Sequence, residues 1–154
     1  QHHTNFINEL VKAQLLNLND YKGGSVTWHD PCYLGRYNGE YEAPRELLTE
    51  LGIQPVEMER SGFRSRCCGG GGGAPITDIP GERRIADMRM EDVRATGAEV
   101  VAVGCQQCTA MLEGVVEPRP EVKDIAELVA EALVEPTVSQ PTRRKSEQPA
   151  MEVA

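Results

Sequence analysis

An α/β fold with a parallel sheet of about four strands and helices on both faces is predicted by three features. Short apolar, β-branched runs alternate with amphipathic stretches along the chain. The run Ala98-Glu99-Val100-Val101-Ala102-Val103 is nearly all apolar, as in strands covered on both sides. Finally, all five cysteines follow predicted strands, where ligands of open parallel sheets bind.

The elements follow in order. Phe6, Ile7, Leu10, Val11 and Leu15 mark an amphipathic helix over 1–20, stopping around Asn17–Asp20, and Lys22-Gly23-Gly24 breaks the chain. Ser25–His29 reads as a buried strand ended by Asp30-Pro31. Pro44 opens a helix running to Leu51, stopped by Gly52, and 54–59 is a weaker strand because Pro55 lacks an N–H. A longer helix spans Gly81 to Thr96, with Ile85, Met88, Met90 and Val93 as core positions and Gly97 as its stop. After the strand at 98–103, Cys105-Gln106-Gln107-Cys108 opens a helix through Val115. Glu121–Ile125 is a short strand, and Asp124 caps the closing helix Ile125–Leu133. The result is a Rossmann-like order, with 1–24 as helix and linker, 25–134 as the domain and 135–154 as a disordered tail.

Composition narrows the function. The chain has 154 residues, 40% of them hydrophobic, with 16 basic against 24 acidic side chains, for a net charge of −8. An acidic chain without a basic face argues against nucleic-acid binding, and the charge serves solubility. No run approaches the roughly 18 apolar residues of a membrane span, and no signal-peptide pattern is present. The first residue is Gln1, so a fragment of a longer protein is expected. Five cysteines, an odd number, fit a disulfide framework poorly, so reduced thiols in a cytoplasmic setting are expected.

The cysteine spacing is Cys32–x34–Cys67-Cys68–x36–Cys105-x2-Cys108. One zinc ion would use four of these thiolates and leave one over. Neighbouring cysteines in extended backbone point apart, which suits two irons of a multinuclear cluster better than a single ion. The five glycines Gly69–Gly73 let backbone N–H groups approach inorganic sulfide. A helix start at Cys105 favours thiolate. Arg36, Arg64 and Arg66 are candidates to offset cluster charge, although a solvated surface role is the simpler reading for each. His29 reads as a hydrogen-bonded structural residue at a strand end, His2 and His3 as exposed or packing residues on the first helix, and Asp30 as a turn cap. The glycine run lacks the Gly-Lys-Ser/Thr of a phosphate loop, and Gly35-x3-Gly39 is not a dinucleotide fingerprint.

This cysteine order, together with His29-Asp30-Pro31-Cys32-Tyr33-Leu34-Gly35-Arg36 and Cys68-Gly69, resembles the cysteine-rich CCG domain over roughly residues 25–133. That domain occurs in heterodisulfide reductase B and D subunits and related iron–sulfur oxidoreductases. The resemblance implies a 4Fe-4S cluster of the non-cubane type on Cys32, Cys67, Cys68, Cys105 and Cys108, with zinc as the alternative. It also implies electron transfer between a flavoprotein or upstream iron–sulfur domain and a disulfide or quinone acceptor, at the cytoplasmic face of a membrane through a partner or another part of the protein. Two positions depart from the family pattern. Gln106-Gln107 replaces a proline-containing spacer, and Ala74-Pro75 stands where relatives carry a basic or aromatic residue. Both bear on substrate or partner contacts more than on cluster binding. A structural zinc module and a thiol–disulfide exchanger using Cys105 and Cys108 remain the competing readings.

Overall fold

The computed structural model describes residues 1–77 and 81–134, so the tail at 135–154, expected to be disordered, lies outside the described residues. Three parallel strands, β1 (Val26–Trp28), β2 (Val100–Val103) and β3 (Glu121–Asp124), form the sheet in the order β1-β2-β3. Val26 pairs with Val100, and Val100 with Glu121. Among the described residues five α-helices pack around it: α1 (His3–Lys12), α2 (Glu42–Glu50), α3 (Ile85–Arg94), α4 (Gln106–Glu113) and α5 (Ile125–Ala132).

The period of two in β2 separates two apolar layers. Val100 and Ala102 pack with Val26, Trp28, Leu47, Leu51 and Leu128 on the face covered by α1, α2 and α5. Val101 and Val103 pack with Met90, Val93, Cys108 and Leu112 on the other face, covered by α3 and α4. The predicted α/β class with helices on both faces is what the chain adopts. β2 is buried throughout because it is central and covered on both sides.

The differences have local causes. The 54–59 segment runs beside β1 but keeps only one backbone bond to it, from Val56 N–H to the Val26 carbonyl at 2.9 Å. Pro55 has no N–H with which to extend a ladder. Helix α1 stops at Lys12 rather than near Asn17, because Gln14 takes a left-handed φ of 57°. The residues that follow stitch helices together instead: Asn19 N–H bonds the Ala132 carbonyl and Tyr21 N–H the Leu51 carbonyl, both at 2.8 Å. In α3 Met90 and Val93 are buried as expected, but Ile85 is exposed and Met88 half-buried, and Ala86 and Arg89 complete the buried stripe.

Asp124 caps α5 as expected, within a full capping box. Its carboxylate accepts the Ala126 N–H at 2.9 Å, and Glu127 accepts the Asp124 N–H at 2.7 Å. Asp124→Ala is expected to destabilise the fold by about 1 kcal/mol, read as a lower urea midpoint at unchanged slope. No helix among the described residues is long and apolar enough to cross a membrane.

Candidate metal centre

The site forms where β1 and β2 end. Beyond β1 the chain passes through His29, Asp30 and Pro31, all buried, to Cys32. Asp30 does more than cap a turn. Its carboxylate accepts Trp28 Nε1–H at 3.0 Å, the Gly62 N–H at 2.7 Å, and two N–H groups of Arg45 at 2.8 and 3.1 Å. Burial alone would raise this carboxyl, yet Arg45 and the other donors hold it below the usual carboxylate range. The segment carrying Cys32 is thereby tied to α2 and to the loop before Cys67.

That loop is held from both sides. Arg36 Nε donates to the Phe63 carbonyl at 3.1 Å, and its Nη2 donates to the Ser65 carbonyl. Arg66 pairs with Asp92 of α3 at 2.9 Å, and Arg64 is exposed. Two of the three arginines considered for charge compensation thus hold backbone or a carboxylate, and the third faces solvent.

The chain then turns at Cys67–Gly70. Gly69 takes φ 88°, and a Cβ there would stand 3.1 Å from the Ile85 Cβ. Its N–H donates to Cys67 Sγ at 3.3 Å, and the Gly70 backbone bonds Cys68. A Cβ on Gly70 would meet Gln107 Cγ at 2.6 Å. These two glycines carry the close approach expected of the run, while Gly71, Gly72 and Gly73 are exposed. At this turn Cys67 is half-buried and accepts the Gly69 N–H, while Cys68 is buried beside Cys108 and His29.

Cys105 is the N-cap residue of α4 in extended backbone, and Cys108 lies buried one turn on. All five cysteines are free thiols. Cys68 and Cys108 stand together with His29, their ligand atoms within 4.8 Å of one another, and Cys67 and Cys105 pack against the same apolar layer. The thiols are shifted in opposite directions. Hydrogen bonds from Cys108 and then Cys67 push the Cys68 thiol far down, with smaller help from His29 and Gly70. A bond from Cys108, aided by the backbone N–H groups of Cys108 and Gln107, lowers Cys105 to about 6. Cys67, by its bond to Cys68 and by burial, and Cys108, by its bonds to Cys105 and Cys68, are pushed up.

His29 completes the group. Its nearest ligand atom and the sulfurs of Cys68 and Cys108 lie within 4.8 Å of one another. It is a hydrogen-bonded residue at a strand end, as read from sequence, with Arg89 Nε donating to Nδ1 at 3.0 Å. Arg89 itself was missed. It is fully buried on the apolar face of α3, three residues after Ala86 and four before Val93, and that spacing was the available signal. His2 packs rather than ligates: it caps α1 through the Thr4 N–H at 3.2 Å and meets the Gly104 carbonyl at 2.8 Å. His3 lies 3.2 Å from Asp124.

Beside the thiols an open groove of about 1350 Å³ runs along the strand ends, lined among others by Pro31, Leu34, Gly104, Cys105, Gln107 and Asp124. Gln106 also lines it, so the departures at 106 and 107 both border this groove. Pro75 is exposed and Ala74 half-buried, outside that lining.

The model of the CCG cysteine-rich domain matches residues 26–113, the stretch that contains all five thiols. The chain belongs to the CCG cysteine-rich domain family. A protein named probable membrane-anchored ferredoxin, from Chromohalobacter salexigens, is 66% identical over 136 residues, covering 86% of this chain and 20% of that protein. The probable iron–sulfur-binding oxidoreductase FadF of Bacillus subtilis is 39% identical, with 86% and 20% covered. A dihydromethanophenazine:CoB–CoM heterodisulfide reductase subunit from Methanosarcina acetivorans is 37% identical, with 86% and 33% covered. This CCG chain therefore spans between one fifth and one third of the length of these relatives.

The donor set suits an iron–sulfur group. Its members are sulfurs without a carboxylate among them, which selects soft metals and clusters. Five thiols exceed the four positions of tetrahedral zinc, and N–H donors from Gly69 and Gly70 already point at sulfur.

Proposed function

We propose that residues 25–134 are an electron-transfer domain of a larger oxidoreductase. Cys32, Cys67, Cys68, Cys105 and Cys108 are its ligands for a 4Fe-4S cluster of the non-cubane type. Convergence of five sulfurs from three separate stretches of sequence on one sheet edge carries the reading. Bound there, the cluster would supply one-electron transfer between a flavoprotein or preceding iron–sulfur domain and a disulfide or quinone acceptor. The protein's own contribution is to gather the thiols, keep Cys68 and Cys108 out of water, and aim backbone N–H groups at the sulfurs.

The names of relatives support both acceptor classes, since one is a heterodisulfide reductase subunit and another, 33% identical, is an EtfAB:quinone oxidoreductase. A relative named as membrane-anchored supports work at the cytoplasmic face of a membrane through a part or partner other than this domain.

Zinc at this site is the second reading, favoured by the compact grouping of His29, Cys68 and Cys108. Anaerobic purification followed by iron, sulfide and zinc analysis decides between them. Iron and acid-labile sulfide in equal amounts with visible absorption are expected, and a colourless chain with one zinc and no sulfide would overturn the proposal.

A further inference from the structure

The His29 ring has two neighbours of opposite character. On one side stands Arg89, whose Nε donates to Nδ1 at 3.0 Å. Its Nη1 donates to the Arg60 carbonyl at 2.8 Å and reaches Asp92 Oδ2 at 3.3 Å, the oxygen that Arg66 holds at 2.9 Å. On the other side a ring nitrogen lies within 4.8 Å of the sulfurs of Cys68 and Cys108. A guanidinium has donors only and keeps its proton inside proteins, so Nδ1 must be the accepting nitrogen. A neutral imidazole carries a single N–H, which then sits on Nε2. A second proton on Nδ1 would oppose N–H to N–H across 3.0 Å and place two buried cations side by side.

We infer that His29 is not a metal ligand but a positioning residue that donates Nε2–H to the sulfur of Cys68, locked in that tautomer by Arg89. As a ligand through Nε2 the ring would have to lose its only proton and become imidazolate, although it sits in a ready-looking group with Cys68 and Cys108. A sequence reading cannot separate these roles, because the deciding atom belongs to Arg89, sixty residues further on. An N–H directed at a ligand sulfur stabilises the electron-rich state of whatever that sulfur binds, so His29 raises the potential of the group held by Cys68. That consequence rests on the cluster proposed above; the hydrogen bond itself does not.

Potentiometric titration of the anaerobically purified chain, followed by electron paramagnetic resonance beside iron and sulfide analysis, tests the consequence. His29→Leu is expected to keep its iron while reduction becomes about tenfold less favourable, a midpoint lower by about 59 mV for one electron. His29→Gln, whose amide N–H can reach the same sulfur, is expected to stay near wild type. An unchanged potential in His29→Leu overturns the inference, as does a loss of iron that His29→Cys restores. Long-range 15N–1H correlation on the wild-type, metal-free chain tests the hydrogen bond without any variant. A proton on Nε2 of His29 is expected, and one on Nδ1 overturns the assignment. Should the chain hold no iron or sulfide, the cluster proposal falls and this second measurement still decides the role of His29.

Discussion

Cys68→Ser and Cys108→Ser are expected to leave the chain without bound iron and sulfide, whereas Cys32→Ser is expected to keep a reduced share. The ranking follows from position. Cys68 and Cys108 stand together with His29 and are 4% and 2% exposed. Cys32 lies outside that grouping and is half-buried. Serine is a harder, less acidic donor than cysteine and a poor partner for iron in a sulfur site. Its hydroxyl also enters the apolar layer of Met90, Val101 and Leu112, where an unmet polar group costs about 1–3 kcal/mol. Alanine at the same positions removes the ligand without that cost, so Cys68→Ala and Cys108→Ala separate lost ligation from lost stability. Iron and sulfide content is measured on each variant beside its urea midpoint. Full iron in both alanine variants would remove these two residues from the ligand set.

Asp30→Ala is expected to destabilise the protein by about 3 kcal/mol, the low end for breaking a buried ion pair. The carboxylate side chain is 3% exposed and satisfies four N–H groups, from Trp28, Gly62 and Arg45. Removing it strands Trp28 Nε1–H and the Gly62 N–H in the interior. Arg45 remains 22% exposed and keeps its bonds to Glu57, which holds the loss below the upper end of the range. Asp30→Asn preserves the shape and an acceptor oxygen but not the charge, so a smaller loss is expected. Equilibrium urea unfolding measures both. Because Asp30 ties the Cys32 segment to the loop before Cys67, the alanine variant is also expected to retain less iron. An alanine variant within 0.5 kcal/mol of wild type would show that the network is dispensable.

Much of this was legible in the residues themselves. The apolar run at 98–103, the capping role of Asp124, and the placement of Cys32, Cys105 and Cys108 after strands depend on local composition and on a topology rule. Local reasoning failed where a distant partner decides. Residues 54–59 have strand composition apart from Pro55, yet whether they pair depends on the free edge of β1. Ala86 and Arg89 rather than Ile85 and Met88 are buried because α3 is oriented by Met90 and Val93 packing under the sheet, while the cost of burying Arg89 is offset by His29, Asp92 and the Arg60 carbonyl.

By itself the sequence determined the α/β class, the family and the identity of the thiols that share one sheet edge. These follow from periodicity and from the order of a few residue types, which survive any small shift in packing. Only the tertiary structure decided that Cys68 and Cys108 come together beside His29, that Asp30 is an anchor, and that Arg89 holds Nδ1 of His29. Each depends on a backbone turn or a hydrogen bond between residues remote in sequence. Such bonds act over about 3 Å, a distance that chain folding sets and residue spacing does not.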